Sequence, residues 1–431
     1  MKSKFIKSTI ILIIGGFITK ILGMIIKIAL TRAISVKGIG LYMLILPTFN
    51  LFITLCTLGL PTAISKLVSE RKRSSKKIVL SIVPVVILFN IILMLLLFLV
   101  APIISKYLLK NTSTYYPLLC ISLTLPFICI SSIIKGYFFG KEKMFPYTLS
   151  NIIEQLTRLL LTIFFIPKLL YINLTIAICG VVLINIVSEF LSIITLILFL
   201  PKNTIIIKKD FTVDKNILKD MLNISIPTTT TRLIGSLSYF LEPILLTFCL
   251  LKLNYTNNYI TIEYGIINGY VYPLLLLPSF FTMAISNALL PIISKNYVNR
   301  NYTYIKNKIK QAINISLIIG IPCTLIFVFI PEIPLKFIYN TNEGINYIKV
   351  IAPFFLLHYI QSPLTVVLQA IDRASTAMRG TLIGSIIKLM LLFVLSLSNI
   401  GIWGLVISSI INIIYVTLHH IYYVKKYLKN R

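Results

Sequence analysis

Eight charged side chains stand inside apolar runs of this chain: Lys20, Lys27, Glu154, Arg158, Glu189, Arg232, Glu242 and Lys388. A cation near the bilayer centre costs about 2.5–3.5 kcal/mol on insertion scales, so such a residue faces a cavity, a partner or the interface. Glu154 and Arg158 are four residues apart and share a helical face on which they can pair. Lys20 and Lys27 are two turns apart, with Gly16 and Gly23 near them. Arg232 follows four threonines, Thr228 to Thr231. Five cations against three carboxylates leave two cations over after internal pairing. That surplus suits an anion, and guanidinium groups hold phosphate through paired hydrogen bonds. The plainer readings are that Lys27 snorkels to the interface and that Glu154, Arg158, Glu242 and Arg232 form a structural salt-bridge network. Glu189, beside Ser188, is either a coupling acid or a hydrogen-bonded packing residue.

The elements that must carry these charges are membrane helices. The chain has 431 residues, 57% hydrophobic and 12% charged, with a mean hydropathy of +0.94, whereas soluble domains carry about 25% charged residues. The formal charge of +29 is not gathered on a hydrophilic domain, as nucleic-acid binding requires. Six cysteines lie in apolar runs without close spacing, and His358, His419 and His420 have no acid or nucleophile at useful spacing. No metal, cofactor or enzyme motif is indicated. The leading MKSKFIK and its apolar run lack a small-residue cleavage site and read as a retained first helix.

Hydropathy resolves into about twelve spans, from 8–31 to 401–424. Alternate loops collect twenty-eight basic residues on one side, Lys135 counted among them, against eight on the other. The positive-inside rule then places both termini in the cytoplasm of a multi-pass bacterial cell-membrane protein. The polar stretch from Pro201 to about Asp220 divides the spans six and six, giving an all-α polytopic protein of two pseudo-symmetric lobes, 1–205 and 206–431.

Two matches suggest a duplication. Residues 59–66, GLPTAISK, resemble 290–295, LPIISK, each preceded by an inner proline, Pro47 or Pro278. The turn and helix 136–158 resemble 371–390, and laying Met144 on Met378 places Glu154 on Lys388. Six helices per half is even, so both halves keep one orientation and a site is expected between them. Lys20 and Arg232 would there face one another, and Glu154 would be set against Lys388.

Several stretches resemble the multidrug/oligosaccharidyl-lipid/polysaccharide exporter superfamily, most closely its stage V sporulation protein B group. They are Thr19-Lys20-Ile21-Leu22-Gly23, Gly38-Ile39-Gly40-Leu41-Tyr42, LGLPTAISKLVSE from Leu58 to Glu70, and GYFFGKEKMFP with the SNIIEQLTR that follows. The resemblance implies a two-lobed helical transporter that moves an undecaprenyl-pyrophosphate-linked glycan from the inner to the outer leaflet by alternating access, in cell-wall or spore-cortex synthesis. On it, Lys20 takes the place of a cavity-lining basic residue of the first helix; the surplus of interior cations, not the resemblance, adds Lys27, Arg158, Arg232 and Lys388 to the expected anion-binding set. Glu154 and Glu242 position these cations or couple transport to an ion gradient. Glycosyltransferases or cell-wall polymerases are the partners such a role implies. The group commonly has fourteen helices where twelve are found here, and the eighth span lacks the basic residue that lipid II flippases carry. The rival readings are a cation-coupled antiporter for drugs or organic cations, which requires an acidic cavity, and a non-transporting scaffold for envelope assembly.

Overall fold

The long apolar runs fold as helices because hydrocarbon offers no hydrogen-bond partner to an unpaired backbone. The structure is a computed structural model describing residues 2–70, 73–201 and 213–429. Arg71, Lys72, Lys202, Lys208, Lys209, Arg431 and most of the expected linker lie outside the described residues. Among the described residues every regular element is helical: α1 (Lys2–Ala33), α2 (Val36–Thr57), α3 (Leu60–Ser69), α4 (Ser75–Ile103), α5 (Tyr115–Gly140), α6 (Met144–Leu170), α7 (Leu174–Leu198), α8 (Lys215–Lys252), α9 (Asn257–Gly265), α10 (Tyr272–Leu275), α11 (Ser279–Val298), α12 (Tyr302–Phe329), α13 (Glu332–Tyr339), α14 (Ile345–Ala370), α15 (Ala374–Ser396) and α16 (Trp403–Lys429). Eleven helical stretches among these residues are long and apolar enough to cross a membrane. The count is twelve if the pair 257–275 and 279–298, bent by 52°, is taken as one span. Leu88, Ile92, Leu95 and Leu99 on α4 stand at least half exposed along one stripe. Such a stripe is a lipid-facing surface, since water would not tolerate it.

Packing divides the chain into two compact units, Met1–Phe240 and Leu241–Arg431. The expected lobe boundary lies at 205/206, whereas this division falls within α8, whose first half is tied to the first unit. Asp220 meets Arg73 at 3.1 Å and Asp214 meets Lys77 at 3.0 Å. Thr228 packs on Gly59, which separates α2 from α3 at a φ of +61° and would push any Cβ into the threonine hydroxyl. A residue with a side chain would be strained there on both counts.

In the first unit α5 is the central helix, burying Leu118, Ile121, Leu125, Cys129 and Ile133 on successive turns. The Asn90 side-chain nitrogen on α4 donates within this core to the carbonyls of Cys56 and Val86 and to Cys129 Sγ. Gly140 ends α5 against α3, where a Cβ would stand 2.6 Å from the Ser65 carbonyl oxygen. In the second unit Ile293, Ile305, Leu364, Val367, Leu368 and Leu428 join α11, α12, α14 and α16, and the Tyr359 hydroxyl donates to the Leu275 carbonyl at 2.8 Å.

A charged cavity in the first unit

The turn before α6 is built by the end of α5. The amides of Lys141, Glu142 and Lys143 donate to the carbonyls of Tyr137, Phe139 and Phe138, with Glu142 at a φ of +57°. From this fixed start α6 carries Glu154 and Arg158 on one face, as their spacing predicts, and Arg158 Nη2 donates to Glu154 Oε1 at 2.9 Å. Glu154 has a second partner that the sequence reading assigned elsewhere. Lys135, counted there as a loop charge, lies within α5, and its Nζ reaches Glu154 Oε2 at 2.8 Å and Glu189 Oε2 of α7 at 3.9 Å. The loop assignment is corrected on that ground: the ammonium lies between two buried carboxylates on neighbouring helices, where removing it would strand them. The charge asymmetry between loops falls by one residue and keeps its sign.

Glu154, Arg158 and Glu189 border a cavity of about 430 Å³ lined by α1, α2, α5, α6 and α7, a volume typical of small-ligand sites. Helix α1 contributes Gly23, Ile26, Lys27 and Leu30, spaced along one face. Tyr42, Asn50, Gln155 and Asn185 add polar groups, and Met43, Leu46, Phe49 and Ile53 of α2 form an apolar wall. The cavity's charged lining residues are two cations, Lys27 and Arg158, and two carboxylates, Glu154 and Glu189, and Lys135, outside the lining, engages both carboxylates. Lys27 makes no ion pair among the described residues. Arg158 Nε and Glu189 Oε2 are buried without a hydrogen-bond partner there, and each such group is costly unless water or a ligand completes it. The arrangement can therefore take an anion at the Lys27–Arg158 side while Glu154 holds the guanidinium in place.

The other expected site residues fall elsewhere. Lys20 lies one turn before Gly23, exposed, and is not among the residues lining this cavity. Arg232 is exposed on the first half of α8. Lys388 and Glu242 form their own pair in the second unit at 2.6 Å, with the Tyr264 hydroxyl donating to Glu242 at 3.3 Å. Glu154 and Lys388 each close an ion pair within their own unit, and the expected network's Glu242 is neutralised by Lys388.

The duplication is visible in the geometry, in a different register from the one read in the sequence. Ile371, Asp372 and Arg373 donate to the carbonyls of Val367, Gln369 and Leu368, and Asp372 has a φ of +59°. This is the same turn as at Lys141, Glu142 and Lys143, so Asp372 answers to Glu142. It lays Lys388 on Arg158, each the fifteenth residue of its helix, and Gly384 on Glu154. Matching Met144 to Met378 is thus four residues out. The Gly140–Ser65 approach recurs as well, with Ser294 Oγ donating to the Ala370 carbonyl at 3.4 Å. Each unit keeps a cation at one position and supplies its acid differently: from the same helix in the first, from the second half of α8 in the second.

The family model described as polysaccharide biosynthesis protein matches residues 5–297, and that described as MatE matches 268–394. Stage V sporulation protein B of Bacillus subtilis (strain 168) is 36% identical, over 99% of this chain and 85% of its own. Lipid II flippase MurJ of the same organism is 24% identical over 91% and 77%. Among solved structures, an inward-facing conformation of a multidrug resistance MATE family transporter of the MOP superfamily superposes with a TM-score of 0.75 at 14% identity, covering 96% of this chain and 95% of that one. The charged, helix-lined cavity therefore sits in a multi-pass membrane protein of shared fold, and the chain belongs to the polysaccharide biosynthesis protein family of the MOP exporter superfamily, in its stage V sporulation protein B-like group.

Proposed function

We propose that this protein is a flippase for a lipid-linked oligosaccharide, moving an undecaprenyl-pyrophosphate-linked glycan from the inner to the outer leaflet by alternating access, with both termini in the cytoplasm. The observation that carries the reading is the pair of available cationic groups at the first-unit cavity: Lys27 has no ion-pair partner among the described residues and Arg158 keeps a buried, unbonded Nε, while Lys135 engages the carboxylates Glu154 and Glu189. A pyrophosphate is the anion such a pair of ammonium and guanidinium groups binds best. The relative named lipid II flippase supports the substrate class. Arg158 and Lys27 take the anion, Glu154 orients Arg158, and the Lys135–Glu189 contact offers a place for a coupling cation to compete. Lys20, Arg232 and Lys388, with Glu242 beside the last, are proposed as further contacts along the path. An organic-cation antiporter would need carboxylates in excess at the cavity, whereas its lining holds two of each sign and both acids are engaged by Lys135 from outside it.

The test is translocation by the purified full chain in vesicles, with a fluorescent polyprenyl-pyrophosphate glycan as substrate. The proposal expects transport of the pyrophosphate lipid and none of a phosphate-free glycolipid with the same tail and sugar. Equal transport of both, or inhibition by a hydrophobic organic cation alone, would overturn it.

A further inference from the structure

A second cavity, of about 390 Å³, lies in the other unit between α12 and α16. On α12 its lining residues are Lys306, Ile309, Lys310 and Ile313, spaced as one helical face, and on α16 they are Val424, Lys425 and Leu428. The floor is apolar: Ile309, Val424 and Leu428 are buried members of the core below. The rim is cationic, because Lys306, Lys310 and Lys425 are exposed and none has an ion-pair partner among the described residues. The lining contains no carboxylate. An independent feature sets the depth of this cavity in the membrane. Tyrosines ring the same helix ends, Lys308 lies over Tyr304 at 5.4 Å, Lys426 over Tyr423 at 5.9 Å and Arg373 over Tyr427 at 4.8 Å. Tyrosine and long cations gather where headgroups meet acyl chains, so the lysine rim stands at phosphate level and the apolar floor at the level of the first methylenes.

We propose that this cavity is a binding site for an anionic phospholipid of the phosphatidylglycerol class. Its phosphate lies among Lys306, Lys310 and Lys425, and the upper part of one acyl chain lies along Ile309, Ile313 and Leu428. Basic pockets between membrane helices at headgroup depth recognise acidic lipids in this way. The site lies within one unit, belongs to the leaflet that meets the end of α16, and does not depend on the transported substrate.

The experiment uses the purified full chain in neutral detergent, with native mass spectrometry counting bound lipid as phosphatidylglycerol or phosphatidylcholine of matched chains is added. Wild type is expected to retain one phosphatidylglycerol in preference to phosphatidylcholine, with the preference weakened by high salt. The variant Lys306→Gln/Lys310→Gln/Lys425→Gln is expected to lose on the order of 100-fold in affinity, from three removed charges at the surface. A control, Lys141→Gln/Lys143→Gln/Lys215→Gln, is expected to bind as wild type. Ile313→Trp keeps every charge and fills the groove, and it too is expected to lose the lipid, which guards against a triple variant that fails to fold. Equal retention of both lipids, retention by Ile313→Trp, loss in the control, or a second copy of the chain occupying the groove would each overturn the proposal.

Discussion

Replacing Lys135 by Met tests the charge network of the first unit most sharply, since it removes one ammonium that serves two carboxylates. Lys135 Nζ lies 2.8 Å from Glu154 Oε2 and 3.9 Å from Glu189 Oε2, with side-chain exposures of only 14%, 9% and 9%. The two carboxylate oxygens are therefore under about 7 Å apart, and without the ammonium they repel by about 2.5 kcal/mol at an effective dielectric constant of 20. Arg158 still neutralises Glu154, but Glu189 is left with no ion-pair partner among the described residues. Breaking a buried pair by removing one member costs about 3–5 kcal/mol, and half or more of that here is the carboxylate repulsion. Lys135→Met should accordingly lower the thermal midpoint of the detergent-solubilised protein, followed by a cysteine-reactive dye. Adding Glu189→Gln should recover about 2 kcal/mol of the loss, because it removes the repulsion along with the stranded charge. If Lys135→Met unfolds no earlier than wild type, or if Glu189→Gln deepens the loss, the ammonium does not hold the two acids together and the network reasoning fails.

In the second unit, Lys388→Met strands the buried Glu242 carboxylate, and a loss of about 3 kcal/mol is expected; Lys388→Met/Glu242→Gln should unfold close to wild type in the same assay. Gly140→Ala drives a Cβ to 2.6 Å from the Ser65 carbonyl oxygen, so a loss of about 1–3 kcal/mol is expected, read as a lower thermal midpoint, while an alanine at the open Gly16 should change little. Asp214 lies outside the membrane, and its hydrogen bond from Lys77 holds its carboxyl below the usual carboxylate range. A depressed folded value means that the contact contributes above that range and is lost as pH falls through it. Hydrogen exchange at the start of α8 should therefore quicken below about pH 4, and Lys77→Met should weaken that pH dependence, leaving the part due to the Asn216 and Ile217 amides, without altering exchange in α5.

Much of the architecture was legible because hydrocarbon imposes length and polarity on every span. The helices and the Glu154–Arg158 pair follow from local spacing, whereas the break at Gly59 falls inside what hydropathy reads as one span. Lys135 was misplaced because a lysine near the end of an apolar run, shortly before Gly140, Lys141 and Lys143, has the local signature of a snorkelling residue. Its partners are 19 and 54 positions away in the chain, on α6 and α7. The available signal was Ser131, four residues before Lys135 on the same face, which marks a polar stripe running inward. The register of the duplication was missed for a related reason. Methionine is interchangeable with other apolar residues, so Met144 and Met378 made a weak anchor. The acid-then-base pairs Glu142-Lys143 and Asp372-Arg373 mark the left-handed turn itself and give the register in which Arg158 answers to Lys388. Glu242 could not be matched to Lys388 from spacing, because a contact between distant helices leaves no periodic trace.

The central claim is that the cavity's unpaired ammonium binds the anionic head of the transported lipid. Its most direct measurement is the initial rate of polyprenyl-pyrophosphate glycan translocation by Lys27→Gln in vesicles, at matched protein content and thermal midpoint. Loss of a charge-assisted contact of about 1.5–3 kcal/mol predicts a fall of on the order of tenfold or more, with Lys27→Arg retaining most of the rate. A rate for Lys27→Gln equal to that of wild type would contradict the account.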